Sequence, residues 1–239
     1  MIEARQLRTA IDSRCLRAAS PEAVIELACR SRLDGILWSE GHAPNGNVRR
    51  AINLREETHD RGLEVVGYGS SWYVGRGSFM EVADAALLLG AATIRLGMAG
   101  LVCGDDRSAA IKKLRDALDL AETAGIAVSL FYFPGALNVA LRFIREVAHP
   151  SLRLYWRAPS NLVEDGLPGS HQGVRFYVPN VQIVELTAAS GRRLPKEVAY
   201  ARALGAPSHQ GRFAVLEVAP PGSTHSRNLS EPLHAEARR

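Results

Sequence analysis

Short apolar segments alternate with longer amphipathic segments along the chain, and this alternation predicts the fold. The short segments are rich in β-branched and aromatic residues, whereas the long ones repeat apolar positions at helical spacing. The strand segments recur at intervals of about 25–35 residues, which leaves room for the right-handed crossovers that parallel strands need. The predicted strands are Leu7–Ser13, Asp34–Trp38, Glu64–Tyr68, Thr93–Gly97, Ile126–Phe131, Leu152–Trp156, Val181–Leu186 and Phe213–Val218.

Capping residues mark the predicted helices. The segment "SPEAVIELACRSR" places Ser20 at the N-cap and Pro21 at the first helical position. Three further helical patterns run into a glycine, a residue that commonly follows the last helical turn. These glycines are Gly62, Gly90 and Gly125.

Eight strand–helix units favour a single (β/α)8 barrel, because closing the sheet leaves no unpaired edge. A doubly wound open sheet is the alternative, but no G-x-G-x-x-G follows the first strand. We predict a barrel over residues 1–220 and a partly flexible tail over residues 221–239, which is too poor in apolar positions for a full eighth helix. A homo-oligomer that covers this shortened end is a hypothesis.

Composition and charge narrow the class of function. The chain is 46% hydrophobic and 23% charged, as in ordinary globular proteins. Its net charge is +4, but the basic residues are scattered, so no nucleic-acid surface is predicted. Lysine occurs only at Lys112, Lys113 and Lys196, in a polar helix and a loop, which argues against a Schiff-base enzyme.

The number and spacing of the cysteines indicate the cellular compartment of the protein. Cys15, Cys29 and Cys103 are odd in number and lack metal-ligand spacing. With no signal-peptide pattern and no apolar run of about 18 residues, they indicate reduced thiols in a cytoplasmic protein without a membrane segment.

Six collinear segments carry a resemblance to a known family. They are "LDGILWSEGHAP", "RGLEVVGYGSSWYVG", "LGAATIRLGMAG", "AGIAVSLFYFPGALN", "HPSLRLYWRAPSNL" and "FAVLEVAP". Together they resemble the xylose-isomerase-like TIM-barrel superfamily of sugar-phosphate isomerases and epimerases. The resemblance implies a site at the carboxyl ends of the strands. In typical members a divalent metal there polarises a carbonyl while carboxylates move a proton between adjacent carbons.

At the positions that the resemblance matches to metal ligands, this chain has mostly other residue types. The matched positions are Leu37, Phe131, Phe133, Arg157, Gln182 and Glu217. Only Glu217 keeps a carboxylate, and Arg157 adds a permanent positive charge where a cation would lie. Because such ions need several oxygen or imidazole ligands, we predict that the protein binds no metal, and no other cofactor is indicated.

The remaining polar residues allow two interpretations. Phe213, Val215 and Glu217 share one strand face, so Glu217 is predicted to point into the barrel mouth. A buried carboxylate needs a partner, and Arg157 and Arg95 are the candidates. Either Arg157 binds a substrate carboxylate, phosphate or enolate oxygen while Glu217 is the general base, or the two form a salt bridge that fills a vacated metal site.

Further polar and aromatic residues are candidates for the same site. Glu185 could form an acid/base pair with Glu217, but it differs in parity from Gln182, which favours a solvated strand-end residue. His42 is either a proton donor to the substrate or an ordinary loop histidine. Aromatic residues at or near strand ends could stack on a ligand or simply pack the upper layer of the barrel. They are Trp38, Tyr68, Trp72, Trp156, Phe131 and Phe133.

Three functional hypotheses follow. The first is a metal-independent isomerase, epimerase or lyase that acts on a small oxygenated molecule. The second is a non-catalytic barrel that binds a small molecule or a protein partner. The third is a conventional metal-dependent sugar isomerase with a different ligand alignment.

Overall fold

The structure is a computed structural model. It describes residues 8–72, 74, 77–97, 107–131, 137–157, 181–184 and 213–217. For residues 137, 138, 156, 157, 181–184 and 213–217, the description is of the backbone. The predicted C-terminal tail, residues 221–239, lies outside the described residues.

Eight parallel strands close into a barrel in the order β1 to β8, which confirms the predicted (β/α)8 architecture. Each strand pairs with the next along the chain, and β8 pairs with β1. The strand bounds agree with the predicted ones to within two residues. They are β1 Arg8–Asp12, β2 Gly35–Ser39, β3 Glu64–Ser70, β4 Thr93–Gly97, β5 Ala127–Phe131, β6 Leu152–Arg157, β7 Val181–Val184 and β8 Phe213–Glu217.

Five α-helices are described, and their ends follow the predicted signals. The Ser20 side chain accepts a hydrogen bond from the Ala23 amide, and Pro21 opens the first helix. Gly62, Gly90 and Gly125 all have positive φ just beyond a helix end. The helices are α1 Pro21–Arg30, α2 Val48–Asp60, α3 Phe79–Leu89, α4 Arg107–Thr123 and α5 Leu137–Val147. No helix of the described chain is long and apolar enough to cross a membrane.

Two apolar clusters lie on opposite faces of the sheet. The larger one packs strand residues such as Ile11, Ile36 and Leu130 against the helices. The smaller one fills the barrel interior, because its members alternate along the strands with residues of the larger cluster. It consists of Ala10, Leu37, Val66, Phe131 and Tyr155.

A bulge in β3 adjusts the pairing of β2 and β3. Ile36 pairs with Val65 and Leu37 pairs with Gly67, so Val66 is the extra residue. Gly35 lies beside this bulge, and a Cβ atom there would be 2.6 Å from both the Glu64 carbonyl oxygen and Val66 Cγ2. The absence of a side chain at Gly35 therefore permits the close approach of the two strands.

We predict that Gly35→Ala lowers the free energy of unfolding by about 1–3 kcal/mol, because the clash with a backbone carbonyl cannot be relieved by a rotamer change. Gly97→Ala is the matched control, since a Cβ at this strand glycine meets nothing within 4 Å. Its effect should stay within about 0.5 kcal/mol. Denaturant unfolding of both variants measures the free energy of unfolding. Equal losses in the two variants would contradict the steric role of Gly35 between β2 and β3.

Candidate active site

A buried ion pair joins two strands inside the barrel. Arg95 on β4 donates from Nη1 to Asp12 Oδ2 at 2.5 Å and from Nη2 to Asp12 Oδ1 at 3.3 Å. Asp12, the last residue of β1, is 0% exposed, and Arg95 is 4% exposed. Gly69 makes room for the guanidinium, because a Cβ there would be 2.8 Å from Arg95 Nη2. The bidentate geometry fixes the position of a positive charge in a region that excludes water.

A second guanidinium and two aromatic rings lie next to this pair. Arg14 Cζ is 5.2 Å from the centroid of the Phe131 ring, and Arg95 Cζ is 5.9 Å from the same centroid. Arg95 Cζ is also 5.3 Å from the Tyr155 ring. Cations at such distances from a ring face are attracted to its quadrupole. Side chains from β4, β5 and β6 and from the β1 end therefore meet at the mouth of the barrel.

Arg14 belongs to a short 3-10 turn, Ser13–Leu16, that directly follows β1. Asp12 caps this turn, since its Oδ1 accepts a hydrogen bond from the Arg14 amide at 3.0 Å. Arg14 Nε is 3.8 Å from Asp12 Oδ2. One carboxylate thus organises both guanidinium groups.

A separate hydrogen-bond network holds the loops after β2 and β3 together. Glu40 Oε2 accepts from the Ser71 amide at 2.8 Å and from the Ser71 hydroxyl at 2.6 Å. Asn45 Nδ2 donates to Glu40 Oε1 at 3.0 Å, and the Tyr68 hydroxyl lies 2.7 Å from Asn45 Oδ1. Burial, and then the Glu40 carboxylate, raise the pKa of Tyr68 well above the usual range of a phenol. Tyr68 therefore acts as a neutral hydrogen-bond donor at physiological pH.

Trp38 and Tyr68 pack on the helix side of the sheet. Trp38 donates from Nε1 to Thr58 Oγ1 of α2 at 3.1 Å, and both aromatic residues belong to the larger cluster. Trp72 forms an edge contact with Phe79, with ring centroids 5.0 Å apart. These contacts favour the packing interpretation over ligand stacking for the three residues.

His42 is buried, and both of its ring nitrogens have protein neighbours. Nε2 is 3.2 Å from the Ala19 carbonyl oxygen, which only a protonated nitrogen can satisfy. Nδ1 is 3.4 Å from Ser39 Oγ. These contacts favour the loop-histidine interpretation.

The backbone register relates the remaining predicted site residues. Arg157 pairs with Gln182 between β6 and β7, and Val184 pairs with Glu217 between β7 and β8. Trp156 precedes Arg157 on β6 and pairs with Val181. The three strands therefore end side by side at the carboxyl end of the barrel. Phe133 and Glu185 lie outside the described residues.

The described side chains at the matched metal positions do not fit a metal ion. Leu37 and Phe131 are both buried in the interior apolar cluster, and neither an alkyl nor a phenyl group can coordinate a cation. The guanidinium groups of Arg14 and Arg95 flank the Phe131 ring, so positive charge already occupies this region. A divalent cation would be repelled by both groups.

Among the described residues, one other group has the composition of a metal site. Atoms of Asp119, Glu122 and His149 lie within 4.8 Å of one another near the start of β6. The Ser151 amide, however, donates to His149 Nδ1 at 3.1 Å, so the Nε2 of the neutral ring carries the proton. Nε2 then donates to Asp119 Oδ1 at 3.0 Å, which makes the group a hydrogen-bonded link between α4 and β6.

Sequence reasoning predicted Arg95 at the site but not Asp12, Arg14 or Tyr155. A signal for Asp12 was present, since it is a charged residue at the carboxyl end of an apolar strand, where barrel sites lie. Arg14 gave no such signal, because its position depends on the 3-10 turn. Tyr155 is on the interior face with Phe131, two residues before Arg157.

The closed sheet places this protein in the class of (β/α)8 barrels. Its charged and aromatic groups lie toward the carboxyl ends of the strands, where barrels of this class have their sites. No protein-family model matches the chain, and no curated protein matches it significantly. Several solved structures do match over most of their length, and each has low sequence identity.

A xylose isomerase domain protein from Planctomyces limnophilus is 17% identical, with a TM-score of 0.64, and the match covers 88% of this chain and 90% of that one. The probable 3-DHS dehydratase AsbF from Bacillus anthracis is 18% identical, with a TM-score of 0.64 and coverage of 88% and 92%. D-psicose 3-epimerase from Clostridium cellulolyticum H10 is 12% identical, with a TM-score of 0.65 and coverage of 91% and 87%. The chain therefore has the fold of the xylose isomerase-like TIM barrels, as its sequence motifs predicted.

We predict that Asp12→Ala lowers the free energy of unfolding by about 3–5 kcal/mol, because Arg95 loses its buried counter-charge. The double variant Asp12→Ala/Arg95→Met should be more stable than Asp12→Ala alone, since it removes the second charge and keeps an unbranched apolar side chain. Denaturant unfolding of the wild type, Asp12→Ala, Arg95→Met and the double variant measures the coupling energy between the two residues. If Asp12→Ala does not fold, Asp12→Asn replaces it in the cycle. Strictly additive changes in the free energy of unfolding would contradict an interaction between Asp12 and Arg95.

Proposed function

We propose that the protein is a metal-independent isomerase, epimerase or lyase that moves a proton on a small oxygenated molecule. The fold supports this proposal, because the similar structures include a xylose isomerase domain protein, an epimerase and a dehydratase. Fold alone does not establish an activity, so the residues of the site decide which chemistry is possible.

The observation that carries the proposal is the fixed guanidinium of Arg95 in the barrel mouth. A proton removed from a carbon beside a carbonyl leaves negative charge on the carbonyl oxygen. An electropositive group held rigidly in a water-excluding site stabilises that oxygen, and it needs no reorganisation during the reaction. The Asp12–Arg95 pair, with contacts of 2.5 and 3.3 Å, supplies this rigidity.

Two further residues take roles in the proposal. Arg157, at the end of β6, is a second electropositive group, which contacts the carbonyl oxygen directly and adds to the fixed field of Arg95; its charge does not depend on pH in the physiological range. Glu217, at the end of β8, is the general base that accepts the proton from carbon. We assign no step to His42, because its Nδ1 contacts Ser39 Oγ and its Nε2 contacts the Ala19 carbonyl oxygen.

We predict that the protein catalyses exchange of a carbon-bound proton with solvent deuterium in at least one member of a panel of aldoses, ketoses and hydroxy or oxo acids. Mass spectrometry in D₂O detects this exchange whatever product the reaction forms. A chelator should leave the rate unchanged, because no metal takes part. Exchange that stops on chelation and returns with Mn²⁺ would support the metal-dependent alternative instead.

Glu217→Gln should reduce the exchange rate by at least about 100-fold, the usual contribution of a general base. The matched control is Glu26→Gln, the same change at an exposed position on α1. The control should exchange at the wild-type rate. No exchange by the wild-type protein across the panel would contradict the proposal and favour a non-catalytic barrel.

A further inference from the structure

We propose that two copies of this chain form a dimer through the outer faces of α3 and α4. This inference goes beyond the proposed function, because it concerns the outside of the barrel and not its mouth. It follows from the apolar side chains on the outer face of α3 and from the charges that α3 and α4 present to solvent.

The helix α3 carries apolar side chains on its outer face as well as on its inner face. Met80 and Leu87 are each 55% exposed, and their spacing places them about two turns apart on one side of the helix. Leu88, next to Leu87, is half-buried. A surface helix normally has a polar outer face, and one that is apolar there too is typically covered by another surface. The residues of α3 that are not buried are Met80, Glu81, Asp84, Leu87 and Leu88.

A comparison with α2 shows that the pair on α3 is not an ordinary isolated exposure. Among the described residues, the other large apolar side chain with similar exposure is Val48, which is 53% exposed at the start of α2. The exposed residues that follow it on α2 include Arg49, Asn53 and Glu56, which are polar. Single exposed apolar residues of this kind need no partner. Two such residues on one side of α3, with Leu88 beside them, form a patch.

The charges on α3 and α4 indicate that the partner is a second copy of the chain. Glu81 and Asp84 are the charged residues of α3, and both are exposed. The neighbouring helix α4 presents Lys112 and Lys113, which are also exposed. Within the described part of the chain, none of these four side chains forms an ion pair. An acidic helix face beside a basic one is complementary to its own copy in a symmetric dimer.

A two-fold axis that runs between α3 and α4, parallel to both, gives the pairing that fits these charges. It places α3 of each copy on α4 of the other and keeps residues at the same level along the barrel. Asp84 is the sixth residue of α3, and Lys112 is the sixth of α4, so their levels match. An axis across the helices would instead pack α3 on α3. Asp84 lies midway between Met80 and Leu87, so it would then face its own copy, and like charges would repel.

The same pairing covers the apolar patch. The aliphatic stems of Lys112 and Lys113 can pack over Met80 and Leu87 while their ammonium groups reach the acids of α3. Apolar side chains then lie at the centre of the contact and charged groups at its rim, as in other protein interfaces. The helices of 11 and 17 residues are about 16 and 25 Å long, so the contact is small. A small interface predicts a dimer that dissociates readily.

Sedimentation velocity of the full chain over a range of concentrations tests the dimer. We expect wild type to change from monomer to dimer as its concentration rises, with a Kd on the order of 1–100 μM. Leu87→Asp should raise this Kd by at least about 100-fold, because the dimer buries two copies of the substituted side chain. Val48→Asp is the matched control, since it introduces the same charge at a similarly exposed apolar residue outside α3 and α4, and it should dimerise as wild type does. A monomeric wild type, or a dimer that Leu87→Asp weakens no more than Val48→Asp does, would overturn the proposal.

Charge reversal then tests the pairing of α3 with α4. The variants Glu81→Lys/Asp84→Lys and Lys112→Glu/Lys113→Glu each give both helices the same charge, so each alone should dimerise on the order of 10-fold more weakly than wild type. In an equimolar mixture, the reversed α3 of one copy meets the reversed α4 of the other, and the remaining two faces keep their native charges. The mixture should therefore regain a Kd close to that of wild type. A mixture that dimerises no more tightly than either variant alone would overturn the pairing of α3 with α4.

Discussion

The ion pair between Asp12 and Arg95 is the constraint on which the candidate site depends. Two opposite charges are removed from water in the barrel interior, and this carries a desolvation cost that only close contact and additional hydrogen bonds offset. Asp12 makes such additional contacts through the Arg14 amide, and Gly69 leaves the space that the guanidinium occupies. Loss of either charge would leave the other buried without its partner. The pair therefore fixes the position of the charges around it.

In the proposed function, this ion pair supplies the fixed positive charge that a cation would otherwise supply. A metal ion provides concentrated positive charge and fixed geometry, and it requires several ligand atoms to repay its dehydration. A guanidinium that is held by a carboxylate and flanked by aromatic rings provides a fixed positive charge through covalent attachment to the chain. The interior residues Leu37 and Phe131 are compatible with the second arrangement, because no ligand atoms are needed from them. The structural relatives share this fold, and a shared fold does not by itself fix the chemistry of the mouth.

Much of the fold could be predicted from the sequence because each local signal has one dominant cause. The strand Thr93–Gly97 was predicted with its observed bounds, and Ser20 caps α1 as its hydroxyl and the following proline indicate. Apolar periodicity and capping depend on residues that are close in sequence. Such signals can therefore be interpreted one segment at a time.

The side-chain arrangement of the site was less predictable, because it depends on strand parity and on contacts between distant segments. Trp38 was predicted at the mouth together with Leu37, yet neighbours on a strand face opposite sides, and Trp38 packs against Thr58 of α2. The extra residue Val66 changes the parity within β3, so the orientation of Tyr68 could not be read from alternation alone. The pairing of Asp12 with Arg95 joins residues 83 positions apart, and no local pattern encodes it.

The central claim is that guanidinium groups, and not a bound cation, supply the positive charge at the mouth of this barrel. Anomalous diffraction at the manganese edge, from crystals soaked in Mn²⁺, tests it most directly. The account predicts density for Arg95 in contact with Asp12 and no anomalous peak among the strand ends of residues 37, 131, 157, 182 and 217. A strong peak coordinated there, with the arginines displaced from the mouth, would contradict it.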